Sequence, residues 1–234
     1  MKQVLVITGA SKGIGHATAA RFAQNGWDVI NLSRSACDVP GVTNMAVDLT
    51  APAWSQEYGE ELQALVGTPQ RLSLVHNAAV MTKETAQTLT PVILRRVLEL
   101  NVVAPAELNR LLIPHMLADS SIIYISSTLG RKAVANTHAY VVSKHAVIGQ
   151  MRATCQDLAG TMIHTAAICP GFTETEMLRE HLGAHPEVLA QITSGIAHRR
   201  LVQPAEIAET IWFVAQNPVL NGTVLDANLG QIET

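Results

Sequence analysis

Seven short apolar runs rich in β-branched residues recur along the chain: Val4–Thr8, Val29–Leu32, Met45–Val47, Leu72–His76, Ile122–Ser126, His164–Cys169 and Thr223–Ala227. Most of the stretches between them have helical spacing, near 14–25, 53–66, 91–117, 138–159, 174–182 and 204–216. Strands separated by helices are joined by crossovers rather than hairpins. They run parallel in a sheet covered on both faces, so the expected class is α/β, a doubly wound parallel sheet of Rossmann type. Thr90-Pro91 and Gln203-Pro204-Ala205-Glu206 read as helix starts. The link from Arg34 to Asn44, with Pro40 and Gly41, is too short and broken for a full helix.

A chain of 234 residues, 48% hydrophobic and 15% charged, can bury one large core. One domain over 1–234 is therefore expected. Lys and Arg number 16 against 19 Asp and Glu, and the basic residues are scattered, which argues against a nucleic-acid partner and leaves anionic small molecules open. Cys37, Cys155 and Cys169 are too far apart for a disulfide framework or a metal cluster, which suits a reducing, cytoplasmic setting. No apolar stretch approaches the ~18 residues of a membrane span, so a soluble protein is expected. Among nine histidines, His181, His185 and His198 lie loosely together, but Gly183 breaks the 181/185 helical spacing, and no metal site is expected.

The first strand runs into Thr8-Gly9-Ala10-Ser11-Lys12-Gly13-Ile14-Gly15 and then a helix. Glycines there allow a sharp turn and close approach of a pyrophosphate, while the helix start offers free N–H groups and a positive dipole end. Folds that prefer NAD place an acidic side chain at the C-terminal end of the second strand. Asp28 lies at the opposite end, and the residues at the ligand edge are Ser33 and Arg34. A guanidinium can fork onto a 2′-phosphate and Lys12 adds a second cation nearby, so NADP(H) is expected over NAD. A solvated surface arginine is the competing account of Arg34.

Ile125-Ser126-Ser127 closes the fifth strand, and the following helix carries Tyr140 and Lys144, four apart and hence on one face. An ammonium beside a phenol favours the phenolate, which would make Tyr140 a usable acid or base nearer neutral pH. A serine hydroxyl at the strand end could hold a substrate oxygen.

With these motifs assembled, the sequence resembles a short-chain dehydrogenase/reductase over nearly its whole length. The resemblance rests on Thr8–Gly15, Asp48-Leu49, Asn77-Ala78-Ala79, Asn101, Ser127 with Tyr140 thirteen residues on, Lys144, Pro170-Gly171 with Thr175, and Asn221-Gly222. It implies that Tyr140 exchanges a proton with the substrate oxygen, Ser127 hydrogen-bonds that oxygen, and Lys144 lowers the pKa of Tyr140 and binds the nicotinamide ribose. Asn101 would join a water-linked proton relay. Asp48 and Leu49 would border the adenine, Asn77 the adenosine ribose, and Thr173 the nicotinamide carboxamide. It further implies a substrate lid at about 172–200 and a homo-oligomer, tetramer or dimer, for which the apolar Leu108–Met116 and Ala146–Cys155 faces are the expected surfaces.

Pro105 has no N–H to give the Asn101 carbonyl four residues earlier, which leaves that carbonyl free for a water. A plain proline kink is the alternative. Ala79 stands where the family usually has glycine, and Asn228-Leu229-Gly230 replaces a Gly-Gly ending; neither removes a reactive group. Met81, Thr128, Leu129, Val134, Phe172, Met177 and Leu178 are expected to form an apolar pocket for a carbonyl or alcohol substrate. Arg131 and Lys132 read as solvated cations sooner than as an anion site. The activity expected is carbonyl–alcohol interconversion by hydride transfer. Its rivals are a 3-oxoacyl-carrier-protein reductase and a non-catalytic NADP-binding sensor or scaffold.

Overall fold

The computed structural model describes residues 2–182 and 186–231. A seven-stranded parallel sheet has the order β3-β2-β1-β4-β5-β6-β7. The strands are β1 (Gln3–Thr8), β2 (Asp28–Ser33), β3 (Val42–Ala46), β4 (Arg71–His76), β5 (Ser121–Ile125), β6 (His164–Pro170) and β7 (Thr223–Ala227). Strand order runs one way from β1 to β3 and the other way from β4 to β7. The topological switch point thus lies between the C-terminal ends of β1 and β4, where such sheets open a ligand crevice.

The inner strands are buried along almost their whole length, as a sheet covered on both faces requires. One core layer packs α2 (Trp54–Val66), α4 (Ala104–Leu112) and α5 (His138–Asp157) over Val4, Leu74, Ile122 and Tyr124. The opposite layer packs α1 (Gly13–Gln24) and α8 (Pro204–Gln216) over Leu5, Ile7, Val75 and Ile123. Phe22, Trp27 and Trp212 meet edge-to-face between α1 and α8, with ring centroids 4.9–6.0 Å apart. As expected, the Arg34–Asn44 link contains no helix. Asn31 and Asn44 pin it instead: Asn31 Nδ2 donates to Asn44 Oδ1 at 2.9 Å, and Asn44 exchanges hydrogen bonds with both the N–H and the carbonyl of Cys37.

Two stretches differ from the sequence reading. The single helix expected over 91–117 is divided into α3 (Pro91–Leu98), a π turn (Glu99–Val103), α4 and a short 3₁₀ turn (Ile113–His115). Pro105 is the cause, because it cannot donate to the carbonyl of Asn101 and its ring crowds that carbonyl; the kink takes the form of a π turn with Ala104 N–H bonded to the Glu99 carbonyl. The segment expected as one helix over 174–182 is α6 (Glu176–Leu182), and a further helix, α7 (Pro186–Ser194), follows it. Residues 183–185 of the expected lid, with His185, lie outside the described residues.

The faces expected to mediate assembly are consumed inside the chain. Leu108, Leu111, Leu112, Met116, Val147, Ile148 and Met151 all belong to the core. The helices leave Val103 and Val142 exposed instead. Among the described residues no helix is long and apolar enough to cross a membrane, and no cluster of three or more His, Cys, Asp or Glu could hold a metal ion.

Candidate active site

β1 ends at Thr8, and Gly9 turns the chain with φ +71°. A Cβ on Gly15 would collide with the Gly9 carbonyl oxygen, so the loop can close only with glycine there. Asn77, just past β4, ties the switch point together by donating to the carbonyls of Thr8 at 2.9 Å and Gly9 at 3.1 Å. Thr8 Oγ1 accepts from the N–H groups of Asn77 and Ala78. The start of α1 is uncapped by Lys12 and has no acidic residue in its first turn, so its N–H groups and dipole face the crevice.

A cleft of ≈460 Å³ runs from this loop to the start of α5. It is lined by Gly9, Ser11, Lys12, Gly13, Ile14, Ser33, Arg34, Asp48, Leu49, Asn77, Ala78, Ala79, Ser127, Tyr140, Lys144, Pro170, Gly171, Thr173 and Thr175. Among the expected site residues only Gly15, packed behind Gly9, and Asn101, buried behind the wall, do not line it. All seven expected substrate-side residues, Met81, Thr128, Leu129, Val134, Phe172, Met177 and Leu178, line it too.

At the β2 end, Ser33 Oγ lies 3.5 Å from Ser11 Oγ and Arg34 is exposed. Hydrogen bonds from Thr50 hold the Asp48 carboxyl below the usual carboxylate range, with smaller contributions from Arg34 and Arg96. Lys12 does not stand beside Arg34 as an unpaired second cation. Its Nζ meets Glu176 at 2.6 Å, because α6 brings that carboxylate to the cleft beside the glycine loop. Hydrogen bonding to Glu176 raises the pKa of Lys12.

At the other end, Lys144 Nζ lies 5.3 Å from the Tyr140 ring centroid and donates to the Ile125 carbonyl at 2.8 Å. Burial holds the Lys144 ammonium at a pKa of about 8 and pushes the Tyr140 phenol up to about 12, with the Ser127 hydroxyl pulling the other way. The sequence reading had Lys144 lowering the phenol. In the protein itself desolvation dominates, and Tyr140 is held protonated at neutral pH. Ser127 Oγ accepts from Leu129 N–H at 3.1 Å, which leaves its own proton to donate. Asn101 Oδ1 accepts from Val80 N–H at 2.9 Å, and its Nδ2 donates to the Val80 carbonyl and to Ser143 Oγ. Ser143 Oγ in turn donates to the Tyr140 carbonyl at 2.8 Å. Arg131 is exposed, in keeping with its reading as a solvated cation, and it meets Asp226 at 3.2 Å at the surface.

The sequence reading did not single out Arg96, Thr137 and Gln231, which also line the cleft, and it took His181, a further lining residue, only as one of three loosely grouped histidines. No local motif marks them; they come from α3, the start of α5, α6 and the stretch after β7.

This site matches known proteins along most of the chain. The sequence pattern of the short chain dehydrogenase family fits residues 3–184. The chain belongs to the short-chain dehydrogenase family. It is 32% identical to Protein FixR of Bradyrhizobium diazoefficiens, over 98% of this chain and 86% of that one. It is 30% identical to the 2-(R)-hydroxypropyl-CoM dehydrogenase of Xanthobacter autotrophicus, over 96% of each. The ligand-free aldohexose dehydrogenase of Thermoplasma acidophilum superposes with a TM-score of 0.90 at 27% identity, covering 100% of this chain and 97% of that one. The protein is thus an oxidoreductase of a family that binds nicotinamide cofactors. Its glycine loop fits such a group, since an uncapped helix start free of acidic side chains opens onto the cleft.

Proposed function

We propose that this short-chain dehydrogenase is an NADP(H)-dependent carbonyl reductase, or alcohol dehydrogenase in reverse. One observation carries the reading: Tyr140, Lys144 and Ser127 share a single cleft with the glycine loop and Arg34. The cofactor, when bound, supplies or accepts a hydride at nicotinamide C4. Ser127 would donate its hydroxyl hydrogen to the substrate oxygen, and Tyr140, kept protonated by burial, would deliver the proton to that oxygen in the reductive direction. Lys144 would hold the nicotinamide ribose, and the Asn101 carbonyl, denied the Pro105 donor, would pass a proton through water. Asp48 and Leu49 would border the adenine, Asn77 the adenosine ribose, and Thr173 the carboxamide. Ser33 and Arg34 would take the 2′-phosphate, with Lys12 joining once Glu176 releases it.

The segment 172–200 would act as the lid, and its apolar residues favour a carbonyl compound with a hydrophobic body. Val103 and Val142, exposed on the outer helices, support self-association. The free cysteines support a reducing cytoplasm. The test is consumption of NADPH and of NADH by the purified protein over ketones, sugars, acyl thioesters including 3-oxoacyl forms, and steroids. Turnover with NADPH on at least one class, lost in Tyr140→Phe, is the expected result; no consumption anywhere, or a Tyr140→Phe protein as fast as wild type, overturns it.

A further inference from the structure

Helix α5 begins without a cap of its own. No acidic residue lies in its first turn, and the hydroxyl of Thr137, at the N-cap position, donates backwards to the Val134 carbonyl at 2.8 Å instead of taking an N–H of the helix. A helix start left in this condition has unsatisfied donors. The missing acceptor arrives from 55 residues earlier in the chain: Glu84 Oε1 accepts from Ala139 N–H at 2.7 Å. Glu84 is 4% exposed, so this carboxylate is committed to the interior. Its backbone makes two more bonds to the same few residues, giving its N–H to the Asn136 carbonyl at 3.2 Å and accepting His138 N–H at 3.3 Å.

Ala139 immediately precedes Tyr140. The same short segment is held at its other end, where Asn101 clamps Val80, and Val80 and Met81 between these anchors line the cleft. One residue therefore joins the substrate-side wall to the first turn of the helix that presents the phenol.

We propose that Glu84 is a positioning residue for the reaction: its carboxylate oxygen sets where α5 starts, and so where the Tyr140 hydroxyl stands relative to the Val80–Met81 wall. The role needs an acceptor oxygen at that distance from the backbone. This rests on the proposed reductase chemistry, in which a small displacement of an acid relative to its substrate costs rate sharply.

The test compares Glu84→Ala, Glu84→Gln and Glu84→Asp by steady-state kinetics, with amide hydrogen exchange at Ala139 as a readout independent of turnover. Glu84→Ala should lose about tenfold or more in kcat, with the KM for the dinucleotide within about twofold, since the glycine loop is untouched. Glu84→Gln keeps an oxygen in reach and should recover at least half of kcat. Glu84→Asp keeps the charge but draws the oxygen back by one methylene and should behave as the alanine variant does. If Glu84→Ala does not fold, the Gln and Asp pair still decides: Asp active and Gln impaired overturns the proposal in favour of a charge role. A folded Glu84→Ala with kcat within about twofold of wild type also overturns it. Failure of the reductase reading shows separately, as wild-type protein that consumes neither dinucleotide. In that event Ala139 protection lost in Glu84→Ala and restored in Glu84→Gln supports the tether, and unchanged protection refutes it.

Discussion

Asn101 holds Val80 through both of its backbone polar groups, Oδ1 taking the N–H at 2.9 Å and Nδ2 giving to the carbonyl at 3.0 Å. Asn101 is buried and Val80 is half-buried in the cleft wall, so truncating the amide leaves part-buried backbone groups without partners. Asn101→Ala should destabilise the fold by about 3 kcal/mol in urea titrations. A loss below about 0.5 kcal/mol would mean that the Val80 loop is held by other contacts.

Tyr140→Phe removes one oxygen from a buried ring and should leave the fold intact. Under the proposed chemistry kcat falls by about 10²–10⁴. Binding of NADPH, followed by fluorescence quenching, should stay unchanged. An equal loss in binding and in turnover would assign the hydroxyl to holding the cofactor.

Arg34→Ala tests the 2′-phosphate assignment. A charge-assisted contact of this kind predicts a drop of about 10- to 100-fold in kcat/KM with NADPH, and with NADH little change. Parallel losses with both dinucleotides would place the guanidinium elsewhere on the cofactor, and no loss with either would leave it a solvated side chain.

His76 is buried at the end of β4, Nε2 against Asn109 Oδ1 at 2.9 Å, and burial holds its pKa down at about 4. The folded protein therefore resists a proton that the unfolded chain accepts near pH 6.5. Stability conferred above that pH is lost as pH falls from about 6.5 to about 4, by roughly 3 kcal/mol. His76→Gln cannot titrate, so the stability difference between wild type and variant, measured in urea across this range, should shift by that amount. A pH-independent difference would show that His76 is protonated as readily in the fold as out of it.

The strands, the glycine loop and the Tyr140–Lys144 pair were legible because each is written in a few adjacent residues. Alternating apolar runs name strands, glycines name a tight turn, and a spacing of four names a helix face. What escaped depends on distance through space. Glu84 caps a helix 55 residues away, with no sequence pattern joining the two. Lys12 turns to Glu176, 164 residues on, which glycine-loop chemistry alone could not show. The phenol of Tyr140 moves up in pKa because burial outweighs the hydrogen bond from Ser127, and burial is a property of the packed whole. Leu108 and Met151 looked like surfaces for a partner because an apolar stripe reads the same whether a second chain or the sheet covers it.

The π turn at Glu99–Val103 amounts to one residue more than a regular helix needs. Five residues of such a turn cover about the rotation that four cover in an α-helix, so the extra residue is absorbed locally and α3 and α4 keep the relative phase of one regular helix. Deleting one residue there would therefore leave both flanks facing as they do now, while Pro105 would still lack the N–H that an ordinary ladder needs. What the deletion would remove is the bulge that carries Asn101, the residue that holds Val80. The wider turn is a device for placing one side chain without disturbing the helix on either side of it.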